Sequence, residues 1–274
     1  MYKRQSINSL GNVLNSGLDL LISNLMLTGI ETGQIAITKQ IGTIFSLLYS
    51  TISQPFQPQM LKSYASGDMK KFVSELTKAM TVCGLFSNIA FAGFIALGRL
   101  YYELWLPEQN GDLLYTLTIL TIFTSITEGV VSPVYYVNTL TLKKKIPCLV
   151  TVGCGLLNAG SMYLLLSYTS MGVYAIVLTT AVIMTISNFF FTPIYASKCL
   201  NINPMQIYKV LIRHVFSVML MCPLFLSIAR LLQPNSWLGL IFAAMIMSLS
   251  GTLVHVVIMG NAKNVISKLK RILK

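Results

Sequence analysis

Eight long apolar stretches run through the sequence, and lysine and arginine residues lie almost entirely in alternate gaps between them. Each stretch has about 20 or more residues, enough for a helix to cross a hydrocarbon layer of about 30 Å at 1.5 Å per residue. The predicted spans are 9–29, 35–59, 79–98, 113–138, 148–168, 172–195, 210–232 and 237–260. The pattern therefore predicts an all-α fold, a polytopic membrane helix bundle with about eight transmembrane helices.

The basic residues predict the orientation of these spans. Of the 20 lysines and arginines, all but Lys39, Arg99 and Arg230 fall in one set of alternate gaps or near the two termini. Because positive charge accumulates on the cytoplasmic side of a membrane, both termini are predicted to be cytoplasmic. The long loop Met60–Lys78 is assigned to the same side. We expect a helix to begin there after Asp68 and to lie at the interface before it enters the third span.

The composition excludes an ordinary soluble domain. Mean hydropathy is +0.70 and only 10% of the residues are charged, whereas about a quarter are charged in typical soluble domains. The net charge of +12 lies in short loops and in a predicted basic amphipathic cytoplasmic tail, residues 261–274. We therefore expect contacts with anionic membrane lipids and none with nucleic acid.

Motifs for catalysis, cofactors or metal binding are missing from the sequence. The five cysteines include no C-x-x-C pair, and His214 and His255 are too few and too scattered for a metal site. No nucleophile elbow, Walker loop or H-E-x-x-H motif occurs, and the loops are too small to build a catalytic centre. The sequence predicts no enzyme, no cofactor and no metal, and His255 is expected to form hydrogen bonds between helices.

Two polar stripes distinguish the first two spans from the other six. The residues that recur at helical spacing are Asn8, Asn12, Asn15, Asp19 and Ser23 in the first span, and Lys39, Thr43, Ser46, Ser50, Ser53 and Gln57 in the second. A polar stripe along a whole span cannot face lipid, so it faces other helices or water. The candidate substrate-binding or cavity residues are Asn12, Asn15, Asp19, Lys39, Thr43, Ser46, Ser50 and Ser53.

Two interpretations of these stripes remain open. Small polar residues can hydrogen-bond between packed helices, which would explain the serines, threonines and asparagines. Asp19 and Lys39 favour a water-filled cavity, because a charge deep in a membrane costs several kcal/mol and marks a ligand pathway or a partner. Glu128, on a polar stripe of the fourth span, is with Asp19 a candidate for ion or proton coupling, the alternative being a hydrogen bond to a neighbouring helix.

The predicted depths of Asp19 and Lys39 differ. Counted from the predicted span ends, Asp19 lies about 15 Å into the first span and Lys39 about 6 Å into the second. Direct pairing therefore stays open, and each side chain is a candidate to act alone. Lys39 would bind an anionic ligand, and Asp19 would bind a cation or the hydroxyls of a substrate.

Four short motifs follow the first polar span in a fixed order. They are Gly33–Ala36 at the start of the second span, Gln54–Gln59 at its end, Tyr64–Asp68 in the next loop and Leu104–Pro107 after the third span. In this order and spacing, the chain resembles the multidrug/oligosaccharidyl-lipid/polysaccharide exporter superfamily. It is most similar to the C-terminal part of its polysaccharide flippases, the Wzx-type O-antigen and capsule translocases.

The resemblance implies an organisation and a function. Residues 1–200 would form the second six-helix lobe of such a transporter, with the first lobe absent, and residues 201–260 an additional pair of transmembrane helices. The full protein would move undecaprenyl-diphosphate-linked oligosaccharide across the bacterial cytoplasmic (inner) membrane for surface polysaccharide synthesis. The alternatives are a cation-coupled multidrug exporter of the same superfamily and a non-transporting scaffold that recruits polysaccharide polymerase or glycosyltransferases.

Overall fold

The computed structural model describes residues 17–260, and within this range the backbone is helical with short connections and contains no β-strand. The α-helices are α1 Leu18–Met26, α2 Gly29–Ser53, α3 Gln57–Ala65, α4 Met69–Trp105, α5 Gly111–Ile122, α6 Ser125–Leu140, α7 Lys145–Tyr168, α8 Val173–Ile186, α9 Thr192–Leu200, α10 Met205–Leu232 and α11 Trp237–Ile258. A 3-10 helix at Gln54–Phe56 joins α2 to α3, and a π-helix at Ser187–Phe191 joins α8 to α9.

Seven stretches of the described range are long and apolar enough to cross a membrane. They are Gly29–Ala65, Met69–Trp105, Gly111–Leu140, Lys145–Tyr168, Val173–Leu200, Met205–Leu232 and Trp237–Ile258. The outer surface of the bundle is apolar; Leu231 and Leu238, for example, are 83% and 81% exposed. The predicted fold class, a polytopic helical membrane bundle, is confirmed. The predicted first span is described only from residue 17 onward, and the predicted tail at 261–274 lies outside the described residues.

Helix α4 is the central element of the bundle. Its 37 residues give a length of about 55 Å at 1.5 Å per residue, and it packs against α2, α5, α6, α10 and α11. The Asp68 side chain caps its first turn by accepting a hydrogen bond from the Lys71 amide at 2.9 Å. The predicted helix start after Asp68 is confirmed, but the segment is packed within the bundle and does not lie at its surface. Phe72 and Leu76 are fully buried in the bundle, and no proline interrupts the helix before Trp105.

A close helix crossing joins α4 to α6. A Cβ atom on Gly129 would collide with the side chain of Ser87, so a glycine is required where the two backbones approach. The Ser87 hydroxyl also donates a 2.7 Å hydrogen bond to the carbonyl of Ser125. The half of the fourth span that carries Glu128 is thereby fixed against the centre of α4.

Buried polar contacts attach α10 and α11 to α4. The His255 ring places Nε2 3.0 Å from the carbonyl oxygen of Thr81 and Nδ1 3.3 Å from the hydroxyl of Ser217. Asn88 donates through Nδ2 to the carbonyl of His214 at 3.1 Å. The prediction that His255 bonds between helices is confirmed. The division into a lobe at 1–200 and an added pair at 201–260 stays a prediction.

The connections alternate between two ends of the bundle. One end, here called the basic end, holds the turns at 66–68, 141–144 and 201–204, with most of the lysines nearby. The other, here called the opposite end, holds the connections at 27–28, 106–110, 169–172 and 233–236. This alternation predicts which exposed turns face the cytoplasm.

We expect single cysteines to report this orientation in a variant whose five native cysteines are replaced. At the opposite end Asn110→Cys and Ser236→Cys, both at exposed positions, should react with a membrane-impermeant maleimide in intact cells. At the basic end Lys144→Cys and Asn201→Cys should react only after permeabilisation, because lysine-rich loops are retained inside. Labelling of the basic end in intact cells would reverse the topology.

Candidate functional site

A capping box determines where α2 begins. The hydroxyl of Thr28 accepts a hydrogen bond from the Glu31 amide, and Glu31 Oε2 in turn accepts one from the Thr28 amide at 2.9 Å. These reciprocal bonds satisfy free amides of the first helical turn. The helix therefore starts at Gly29, and the predicted turn at residues 30–34 with a span from residue 35 is wrong. The true connection is the short segment 27–28.

This early start brings Asp19 and Lys39 to the same depth. Lys39 lies about 15 Å from the beginning of α2, and Asp19 about 10 Å from the end of α1, at 1.5 Å per residue. Lys39 Nζ lies 2.6 Å from Asp19 Oδ2. The two candidates that sequence reasoning considered separately therefore form one ion pair, a geometry that the predicted helix boundaries had obscured.

Two further helices contribute partners for Asp19. Asn158 of α7 donates through Nδ2 to Asp19 Oδ1 at 3.4 Å, and Thr180 of α8 donates through its hydroxyl to Asp19 Oδ2, also at 3.4 Å. Asn158 Nδ2 lies 3.0 Å from the Thr180 hydroxyl. Sequence reasoning missed both residues. An asparagine in an otherwise apolar span was a signal for Asn158, but nothing in the sequence distinguished Thr180 from other threonines.

The two members of the ion pair differ in accessibility. The side chain of Asp19 is 3% exposed and that of Lys39 is 21% exposed. The adjoining pocket has a volume of about 40 Å³ and is also lined by Ile35, Thr121 and Ile176. It can hold water molecules but no sugar, because ligand pockets have volumes of about 300–1,000 Å³. Both members of the pair line this pocket, and Lys39 is the more exposed of the two.

A second polar centre lies further along α2. Ser46 is about 10 Å beyond Lys39, and its hydroxyl donates to Glu128 Oε1 at 3.2 Å. Toward the basic end, Tyr135 donates through its hydroxyl to Asn188 Oδ1 at 2.6 Å. Asn188 belongs to the π-helix, a distortion that frequently occurs at functional sites. Glu128 was singled out from the sequence, whereas the Tyr135–Asn188 contact was not.

The hydroxyl stripe of α2 lies on an open face of the bundle. Thr43, Ser46 and Ser50 are exposed, whereas Ser53 is buried. The hydroxyls of Thr43, Ser50 and Ser53 bond to carbonyls of their own helix, and of the four only Ser46 bonds to another described helix. Hydrogen bonding between the described helices therefore does not account for most of this stripe. Ile44 lies on the same face and is 53% exposed, so the face is mixed in polarity.

Asn12 and Asn15 lie outside the described residues. Among residues 17–260, no three His, Cys, Asp or Glu side chains come together in a way that could hold a metal ion. The charged side chains available for a function near α2 are therefore those of Asp19, Lys39 and Glu128.

The chain is similar to a membrane protein of Bacillus subtilis (strain 168). This curated protein, described as the uncharacterized membrane protein EpsK, is 26% identical over 236 residues, which cover 86% of this chain and 46% of EpsK. The chain thus spans about half the length of this relative. No protein-family model and no solved structure matches the chain. The likeness and the seven apolar helices together support a membrane-embedded role.

We expect the ion pair to behave as a coupled unit. Lys39→Met should lower the free energy of unfolding by about 3 kcal/mol, because it leaves a buried carboxylate without its counter-charge. The double variant Asp19→Asn/Lys39→Met should lose much less than the sum of the two single variants. Equilibrium denaturation in mixed micelles measures all four proteins of the cycle.

The Lys78–Glu75 pair, with a 3.2 Å separation and a lysine side chain that is 63% exposed, is the control for this cycle. Its Lys78→Met variant should change stability by less than about 1 kcal/mol, because a pair with a solvated lysine contributes little. Additive effects of Asp19→Asn and Lys39→Met would contradict an energetic coupling between the two side chains.

We also expect the open face of α2 to be wet. Cysteines at Thr43, Ser46 and Ser50 should react with a charged methanethiosulfonate in the membrane, since the reaction needs water to ionise the thiol. Leu156→Cys and Leu157→Cys on α7 are matched controls, because these positions are 62% and 65% exposed but lie on an apolar, lipid-facing helix. Equal protection of both sets would mean that lipid or protein covers the α2 face.

Proposed function

We propose that this chain forms one lobe of a flippase for undecaprenyl-diphosphate-linked oligosaccharide in the bacterial cytoplasmic membrane, with Lys39 as the residue that binds the anionic group. The observation that carries the proposal is the largely buried Asp19–Lys39 ion pair within the helical bundle, in which Lys39 is the more exposed partner. The likeness to a bacterial membrane protein supports the membrane location. Alternating access needs two lobes, so the proposal includes a second lobe that packs against the open face of α2.

An ion pair at this place is poorly explained by stability alone. Removing two charges from water costs about as much as their attraction returns, and apolar side chains of similar size often stabilise a protein more. Charged residues within spans are commonly retained for a ligand or an ion. Because Lys39 is the more exposed member of the pair, the expected ligand is an anion.

The side chains around the ion pair would allow Lys39 to exchange Asp19 for an anionic substrate. When a diphosphate binds to the Lys39 ammonium, Asp19 still has hydrogen-bond donors from Asn158 and Thr180. The Asp19 carboxylate therefore keeps hydrogen-bond partners when Lys39 turns toward the substrate. The strength of the Lys39–substrate contact would then control how long the Asp19–Lys39 pair remains open.

The exposed hydroxyls of α2 suit the sugar part of the substrate. Thr43 and Ser50 already donate to carbonyls of their own helix, so their oxygens remain available to accept hydrogen bonds from sugar hydroxyls. The pocket beside Lys39 is too small for a sugar. The oligosaccharide would therefore lie along the open face of α2, between this lobe and the second lobe.

The cation-coupled drug exporter remains the second candidate, because Glu128 is held by Ser46 on the same face of α2. In that case a proton or cation at Glu128 would drive transport, and loss of Lys39 would affect transport less than loss of Glu128. The scaffold that recruits polymerase or glycosyltransferases requires neither side chain. Substitutions of Lys39 and of Glu128 together separate the three possibilities.

We expect the chromosomal Lys39→Ala variant to lose at least about tenfold in export of surface polysaccharide, the effect of removing a charged hydrogen bond of about 1.5–3 kcal/mol. Lys39→Arg should retain part of the activity because it keeps the charge but changes the geometry. Asp19→Asn should also reduce export. Surface polysaccharide is measured beside the amount of protein in the membrane.

Two controls make this experiment decisive. Lys62→Ala removes an exposed lysine near the basic end and should leave export unchanged. The double variant Asp19→Asn/Lys39→Met, which removes the unpaired buried charge, should reach the membrane in normal amount and still fail to export. Normal export by Lys39→Ala at a normal protein level would refute the anion site.

A further inference from the structure

We propose that a groove between α4 and α10 at the opposite end of the bundle binds the phosphate headgroup of an anionic phospholipid. This groove has a volume of about 330 Å³. Its walls are apolar side chains of the two helices, namely Ala96, Leu97, Leu100, Leu226 and Ala229. The site is remote from the Asp19–Lys39 pair in the sequence and does not depend on the proposed transport function.

Cations that are rare at the opposite end meet in this groove. The charge pattern assigns only Lys39, Arg99 and Arg230 to that side of the membrane, out of 20 lysines and arginines. Arg99 of α4 and Arg230 of α10 both line the groove. Positive charge is generally depleted on this side, so the convergence of two arginines from different helices calls for an anionic partner.

The two guanidinium groups are held differently. Arg99 Nε lies 3.3 Å from Asp112 Oδ1, and its guanidinium carbon lies 5.2 Å from the centre of the Tyr115 ring. These contacts orient one edge of the group, while its terminal NH2 groups retain donors for a ligand. Arg230 takes part in none of the ion pairs found among residues 17–260. Arg230 lies in the last turn of α10, where its positive charge interacts favourably with the helix dipole. The dipole does not explain why Arg230 lines a groove together with Arg99.

One carboxylate within the groove opposes the two arginines. Glu103 lines the same groove, and its negative charge reduces the attraction for an anion. Asp112 pairs with Arg99 beside the groove, so the two arginines are balanced in charge by two carboxylates. The attraction for phosphate therefore depends on the guanidinium donors that these carboxylates do not use. Arginine matches the geometry of phosphate, because its planar fork can donate two parallel hydrogen bonds. Glu103 therefore provides a direct test, since its removal should strengthen binding.

Aromatic residues place the groove at the depth of lipid headgroups. The ring centre of Tyr101 lies 5.4 Å from that of Trp105 and 5.9 Å from that of Trp237. Tryptophan and tyrosine collect at the boundary between hydrocarbon and water. A lipid whose phosphate contacts Arg99 and Arg230 could lay its acyl chains along the leucine and alanine walls. A free phosphate ion would leave those apolar walls uncovered, so we assign the groove to a phospholipid.

Trp105 and Trp237 are the two tryptophans of the chain, so its tryptophan fluorescence reports on this region without a label. The purified protein is reconstituted into phosphatidylcholine vesicles with increasing fractions of phosphatidylglycerol, and either lipid carries bromine atoms on its acyl chains to quench fluorescence on contact. We expect a preference of at least about fivefold for phosphatidylglycerol, as a single basic residue near a lipid surface provides. Arg99→Gln/Arg230→Gln should remove this preference.

Matched variants separate this site from general attraction of charges. Lys143→Gln/Lys144→Gln removes the same charge at the basic end and should keep the preference, whereas Glu103→Gln should increase it. A wild-type protein without preference, or equal preferences in the wild type and the arginine double variant, would overturn the proposal. An equal loss in the lysine double variant, or displacement of brominated phosphatidylglycerol by inorganic phosphate alone, would also overturn it.

Discussion

The hydrocarbon layer of a membrane cannot solvate a charge, and this constraint organises one half of the bundle around the ion pair of Asp19 and Lys39. The pair joins α1 to α2, and the hydrogen bonds from Asn158 and Thr180 add α7 and α8. Sliding any one of these helices along its axis would separate a charged or polar group from its partner in a medium where such groups are expensive. The relative depth of four helices therefore depends on this cluster.

The other half depends on the length and burial of α4. This helix contacts α2, α5, α6, α10 and α11, and polar contacts at Ser87, Asn88 and His255 hold three of these neighbours at defined positions. Glu128, on a helix fixed to α4, is linked to α2 through Ser46. Helix α2 thus contacts both halves, and its open face presents hydroxyls between the two acidic centres. A movement that separates the halves would have to change the surroundings of α2 first.

The locations of the seven spans from the second onward and the alternation of charge could be predicted from the sequence, because each depends on local composition. The start of α2 was predicted incorrectly, because Glu31-Thr32-Gly33 was interpreted as a turn although Thr28 and Glu31 form a readable capping box. That local error concealed the pairing of Asp19 with Lys39. The hydrogen bonds from Asn158 and Thr180 to Asp19 could not be predicted from local sequence. They lie 139 and 161 positions from Asp19 in the chain, and periodicity within a single helix contains no information about such contacts.

The crossing of α4 and α6 has a consequence for how sequences of this type can diverge. Gly129 has no room for a side chain beside Ser87, and the hydroxyl of Ser87 is itself engaged with the Ser125 carbonyl. A larger residue at either position would move two long helices apart. Enlarging substitutions at 87 and 129 should therefore be coupled during evolution, with a larger residue on one helix accepted only after a reduction on the other. This pair would then act as a covariation signal for the helix crossing in distant homologues, even where lipid-facing residues have lost all similarity.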